Sequence, residues 1–135
     1  MPRKKSQTLE YRLFIMPQFN EREQRFTTMF VLQTTKFFSS FQYEISMKER
    51  VEGKAVHFKI LGLRTPQLSL PAFGHAHFTK EYEGLRGTYM IHVEGLDGTV
   101  NSFTVRITQK KIVLVKAPPR RFVDVVVDQP VAASE

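Results

Sequence analysis

Two histidines one residue apart and a glutamate four positions later, His75, His77 and Glu81 in LPAFGHAHFTKE, are the residues of this chain whose types and spacing come nearest to chemistry. On a β-strand, side chains at i and i+2 leave the same face about 6.6 Å apart along the axis. Two imidazoles so placed can be aimed at one metal ion, and Glu81 can complete the set. The same pair on a solvated strand does no more than face water. That plainer state is the expectation, with a bound divalent metal as the alternative and no other cofactor implied.

The spacing His-x-His-x-x-x-Glu resembles the first metal motif of the cupins, a jelly-roll family that binds iron, manganese or zinc through two histidines, a glutamate and a later histidine. The resemblance implies His75, His77 and Glu81 as ligands and His92, in TYMIHVE, as the fourth. The chain departs from the family pattern at Ser69, where a glycine is usual, at Gly87, which comes one residue early, and around His92, where the proline and glycine of the second motif are missing. Glu81 also begins EYEGLRG, which reads as a turn between strands. His57 shares the polar side of its strand with Lys59 and reads as an exposed strand histidine.

Other catalytic patterns are missing. The chain has no cysteine, so disulfides, thiolate sites and thiol nucleophiles are excluded together. It carries no nucleophile-elbow serine, no phosphate loop and no evident Ser/His/Asp arrangement. Glu44, Glu49 and Glu52 alternate with Lys48 and Arg50 as on a solvated face, which does not promise the burial that paired acid–base work needs. The reading leans away from an enzyme and leaves the question open.

The elements that position these residues are strands. Leu9, Tyr11, Leu13 and Ile15 alternate with polar neighbours, as do Phe26, Thr28, Phe30 and Leu32, and then Phe41, Tyr43, Ile45 and Met47. Glu52-Gly53 is placed to turn the third series into KAVHFKIL, and Asp97-Gly98 to turn TYMIHVE into TVNSFTVRIT. Residues 88 to 116 read as a three-stranded meander with Phe103, Val105 and Ile107 inside and Thr104 and Arg106 outside. PQFNEREQR, 17 to 25, reads as one helical turn or a solvated loop, and TPQLSLPAFG, 65 to 74, as an edge or a crossing between sheets. APPRR ends the meander, and FVDVVVD can form a last strand.

About seven to eight short antiparallel strands without helices indicate an all-β, single-domain β-sandwich. The late rhythm GTYMIHVEGLDGTVNSFTVRI looks like the late strands of immunoglobulin-like or fibronectin-like domains. The division is a basic arm at 1–8, a sandwich domain at 9–128 and a tail at 129–135. A chain of 135 residues with 12 phenylalanines buries roughly 65–70% of its unfolded surface as one domain, enough for a core.

The net charge of +7 is uneven. Arg3, Lys4 and Lys5 lie at one end, and Arg106, Lys110, Lys111, Lys116, Arg120 and Arg121 occupy a late stretch with no acid between 104 and 121. The expected role is a non-enzymatic module that binds another protein, or a second copy of itself, through a loop or edge strand. PQLSLPAFGHAHF and the basic C-terminal third are the candidate surfaces, the latter through Lys110, Lys111, Lys116, Arg120 and Arg121. Nucleic acid binding through the same basic third is the alternative. No signal peptide pattern and no apolar run of transmembrane length is present, which sets a cytoplasmic default.

Overall fold

The computed structural model describes residues 9–39, 43–65, 74–108 and 110–127. Nine strands form from them: β1 (Tyr11–Asn20), β2 (Arg25–Phe38), β3 (Glu44–Glu52), β4 (Ala55–Arg64), β5 (Gly74–Glu83), β6 (Gly87–Glu94), β7 (Val100–Ile107), β8 (Ile112–Lys116) and β9 (Val123–Val127). The all-β class holds. The hydrogen-bonded order is one continuous succession, β8-β7-β6-β4-β3-β5-β2-β1-β9, and β8 and β9 at its two ends touch, so the sheet is nearly a barrel. Two separate sheets of a sandwich are not seen. The strands are also not all antiparallel: β1 runs parallel to β9, β4 to β6 and β3 to β5. The arm at 1–8 and the tail at 129–135 lie outside the described residues.

Period-two patterning fills the interior as expected. Leu13, Ile15, Phe30, Leu32, Val56, Phe58, Ile60, Ile91, Val93, Phe103, Val105 and Ile107 are buried, and Phe30 packs on Phe58 at 5.3 Å between ring centres. Thr104 and Arg106 point outward, so the register of β7 is the one its alternation requires. The meander β6–β7–β8 and the hairpin β3–β4 form as read.

The turns differ in detail. In β3–β4, Glu52 pairs with Ala55, so Gly53 and Lys54 are the central residues, one position later than Glu52-Gly53. Gly53 has φ +60°, which suits the first central position of a type II′ turn. Between β6 and β7, Gly98 N donates to Gly95 O (3.1 Å) and Gly95 N to Thr99 O (2.8 Å). Gly98 at φ +87° then closes a three-residue loop that ordinary side chains would strain.

Residues 17–25 are the end of a long hairpin: 17–20 and 25 are strand, and only 21–24 form the exposed turn expected as a loop. Pairing continues to Asn20 opposite Arg25, and Asn20 Oδ1 accepts the Glu23 amide at the tip (3.1 Å). Phe19 stacks directly across from Phe26 at 4.8 Å, holding the strands together beyond the core. Pro17 is tolerated because β9 pairs only with Tyr11 to Ile15, leaving this part of β1 an edge.

Two seams complete the near-barrel. At the β8/β9 side, Asn101 of β7 is 4% exposed, and its Oδ1 accepts both the Phe122 amide (2.9 Å) and the Val123 amide (3.2 Å) at the start of β9. Its Nδ2 donates to Arg120 O at 3.4 Å. One side chain thus supplies the bonds that a missing ladder would have made. At the other side β3 and β5 share a single pair, Glu44 with His77. Glu49 pairs with buried Phe58, and Lys80 with buried Phe30, so both charges face inward and meet at 3.5 Å. Glu49 is therefore not part of a solvated face.

Beside this ion pair the Tyr82 hydroxyl is buried with no hydrogen-bond partner among the described residues, and burial together with Glu49 pushes its pKa up to about 12. A raised folded pKa favours the fold below the unfolded value of 10.0 and loses that contribution as pH climbs toward 12. Tyr82→Phe removes the orphaned hydroxyl, whose desolvation costs about 1–3 kcal/mol. The variant is expected to match or exceed the parent by about 1 kcal/mol at neutral pH and to unfold less steeply in alkali, both read by urea denaturation.

Candidate functional site

Strand directions put four connections, β1–β2, β3–β4, β5–β6 and β7–β8, at one end of the near-barrel. Two depressions open there, of about 650 and 540 Å³, and they share Arg86 and Thr108. The apolar lining comes from Phe26, Leu85 and Ile107, of which Leu85 and Ile107 are buried. Around it stand Arg25, Arg86, Arg106 and Lys110, against one lining carboxylate, Glu83.

Each cation reaches the mouth from a strand end. Arg25 opens β2 and is held by Glu83 at 2.7 Å. Arg86 sits in the β5–β6 link, where its carbonyl accepts Lys54 Nζ at 2.5 Å. Lys54 also lies over the Tyr89 ring at 4.8 Å. Arg106 leaves the outer face of β7. Lys110 rides on a turn tied by Thr108, whose amide donates to Lys111 O (3.0 Å) while its hydroxyl accepts the Lys111 amide (3.1 Å). Among the described residues Arg86, Arg106 and Lys110 make no ion pair, so three cationic groups remain available beside an apolar floor. The Phe19–Phe26 pair, 41% and 36% exposed, extends the apolar surface onto the β1–β2 tip.

The five basic residues expected to form a surface do not share one. Lys110 and Lys111 lie at the mouth, before β8, whereas Lys116 ends β8 and Arg120 and Arg121 follow it, at the opposite end. Five extended residues separate the groups by about 17 Å. Arg121 is engaged locally, donating to Pro118 O (3.0 Å) and facing Asp124 at 3.8 Å. Arg25 and Arg86 went unnoticed in the sequence because each is a lone cation beside a turn, with no charge run to mark it. Of PQLSLPAFGHAHF, the other candidate surface, residues 66–73 lie outside the described residues and 74–78 belong to β5, between β2 and β3 in the sheet.

The cupin-like ligand set is not brought together. His75 and His77 share the outer face of β5, but β3 and β4 stand between β5 and β6, so three strand spacings, about 14 Å, separate them from His92. Glu81 belongs to β5 rather than to a turn, because the strand runs on to Glu83 with Tyr82 packed edge-on to Phe30 at 5.7 Å. Six residues place Glu81 about 20 Å along β5 from His75, and its carboxylate accepts the Thr27 hydroxyl at 2.5 Å. His75 Nδ1 is 2.8 Å from Thr34 O, and its ring meets Phe37 edge-on. No group of three or more metal-ligating side chains forms among the described residues.

What the register does assemble is a different histidine pair. The parallel pairing of β4 with β6 sets His57 opposite His92, with rings stacked at 4.8 Å and 25° apart. His92 Nδ1 lies 2.8 Å from Ser102 Oγ on β7. Burial, and then the neighbouring His57, hold the His92 imidazole below its ordinary pKa.

Comparison with family models, curated proteins and solved structures finds no match to this chain. Among the described residues no helix is long and apolar enough to cross a membrane.

Proposed function

We propose that the chain is a non-enzymatic interaction module that docks an acidic, partly apolar segment of another protein in the mouth formed by the β1–β2, β5–β6 and β7–β8 connections. The observation that carries this reading is the pairing of an apolar floor, Phe26, Leu85 and Ile107, with Arg86, Arg106 and Lys110 at its rim, which make no ion pair among the described residues. Apolar burial supplies affinity at such a surface, and unpaired rim cations select and steer an oppositely charged partner. Loops on a rigid sheet are a common place for such contacts.

A second reading follows from the exposed Phe19–Phe26 pair: cations beside aromatic rings can track the backbone of a single-stranded nucleic acid and stack its bases. Fluorescence anisotropy separates the two. A labelled peptide alternating glutamate with leucine and phenylalanine is expected to bind at near-physiological salt, with affinity falling only modestly as salt rises. An oligonucleotide that binds more tightly than the peptide, with a log–log salt slope of about 0.7 per phosphate contacted, would replace the protein reading.

A further inference from the structure

The outer face of β3, β4, β6 and β7 carries a second concavity that shares no lining residue with the mouth. It is a groove of about 670 Å³ walled by Lys48, Arg50, His57, Lys59, His92 and Glu94, with Glu49, already paired to Lys80, also reaching its lining. Its charges are arranged against their own interest. Lys48 pairs directly with Lys59 across β3 and β4, and Arg50 with His57, which stacks in turn on His92; Lys59 also has Glu94 of β6 directly opposite, though the two do not close to ion-pair distance. Directly opposed side chains on one sheet face stand about 4.5–5.5 Å apart at Cβ, where like charges destabilise the pair. Among the described residues neither Lys48 nor Lys59 has an ion pair. Glu52 is already shared by Arg50 (3.4 Å) and His57 (3.8 Å).

Violations of local charge rules gather at functional sites, where a ligand supplies what the protein withholds. An anion between Lys48 and Lys59 turns the repulsion into two charge-assisted contacts. The size of the groove falls in the range of small-molecule sites. Glu94 opposite Lys59, Glu49 in the lining and Glu52 beyond Arg50 confine the positive region, so an extended polyanion would meet carboxylates on leaving it. We propose that this groove binds a small phosphate monoester, its phosphate held between Lys48 and Lys59 with Arg50 beside them, and its body lying along the His57–His92 stack.

The test is NMR of the histidine ring protons of the full chain, titrated with inorganic phosphate and with phenyl phosphate at constant ionic strength. Saturable shifts are expected at His57 and His92 but not at His75 or His77, with the ester binding more tightly than phosphate. Lys48→Gln and Lys59→Gln are each expected to weaken binding about tenfold, the effect of losing one charge-assisted contact. In phosphate-free buffer Lys48→Gln should be at least as stable as the parent, because the like-charge pair is relieved, and Lys59→Gln, which also gives up the facing Glu94, should stay close to it. A purely structural role for either lysine predicts the reverse.

Acid gives a further readout. The charged groups around the histidine pair are Lys48, Glu49, Arg50 and Glu52 from β3, Lys59 from β4 and Glu94 from β6, while β7 offers only Ser102 and Val100. The lowered His92 pKa contributes stability above its unfolded value of 6.5, and that contribution is lost as pH falls through the folded value. Phenyl phosphate, which favours the imidazolium, should offset that acid-side loss. Shifts that never saturate, affinities unchanged in both lysine variants, or shifts produced by an oligonucleotide and not by the monoester would each overturn the proposal.

Discussion

Asn101→Leu is expected to lower the stability of the chain by about 3 kcal/mol or more, the largest single effect outside the apolar core. Leucine fills similar space but leaves the Phe122 and Val123 amides, and the Arg120 carbonyl, without the partner that Asn101 provides. Each buried group so stranded costs about 1–3 kcal/mol. The loss falls where β9 joins the sheet, beside the Phe122 carbonyl that accepts the Glu10 and Tyr11 amides at 2.8 and 3.1 Å. Asn101→Asp keeps an acceptor for both amides and gives up only the long bond to Arg120 O, so its cost should be smaller. Urea denaturation with an unchanged m-value checks the order Asn, Asp, Leu. A leucine variant within about 0.5 kcal/mol of the parent, the range of an ordinary surface change, would show that Asn101 does not close the near-barrel.

The second large effect concerns binding. Reversing two rim charges together, Arg86→Glu with Lys110→Glu, should weaken the acidic peptide about a hundredfold or more, since like charges juxtaposed across an interface cost several kcal/mol. Both side chains are exposed and make no ion pair among the described residues, so the thermal midpoint should hardly move. Reversing Lys116 and Arg120, equally basic in sequence but at and beyond the far end of β8, should leave the peptide's affinity within a few-fold of the parent. If the two double variants lose affinity alike, net charge rather than the mouth governs binding.

That contrast also marks what the sequence could and could not convey. Alternation is a local signal, so the buried phase of Phe103, Val105 and Ile107 and the β6–β7–β8 meander were legible. Strand order is not local. The β5–β6 link passes β3 and β4, and the link after β8 bridges the two ends of the succession, and only then do β4 and β6, or β1 and β9, become parallel neighbours. The histidine pair shows the result: His75 and His77 are adjacent in sequence and separated from His92, while His57 and His92, thirty-five positions apart, stack because of register. Lys110 and Arg121 likewise read as one basic run until β8 is interposed.

Some of the missed features did leave a trace. Glu49 follows Ile45 and Met47 in the inward phase of β3, Lys80 falls between Phe78 and Tyr82, and Asn101 shares the phase of Phe103. A polar residue on an apolar phase signals a buried partner, which here is an ion pair across the weakly joined β3/β5 seam and a set of bonds to the start of β9. The mouth left less. Arg25, Arg86 and Lys110 converge only because successive odd-numbered connections fall at one end of the fold.

Amide chemical-shift mapping with the acidic peptide tests the mouth most directly. The docking account predicts saturable shifts at residues 25–28, 84–88 and 106–111, lost in the Arg86→Glu, Lys110→Glu variant and unaffected by reversing Lys116 and Arg120. Shifts centred on residues 116–121, or on the His57–His92 groove with the mouth silent, would contradict it.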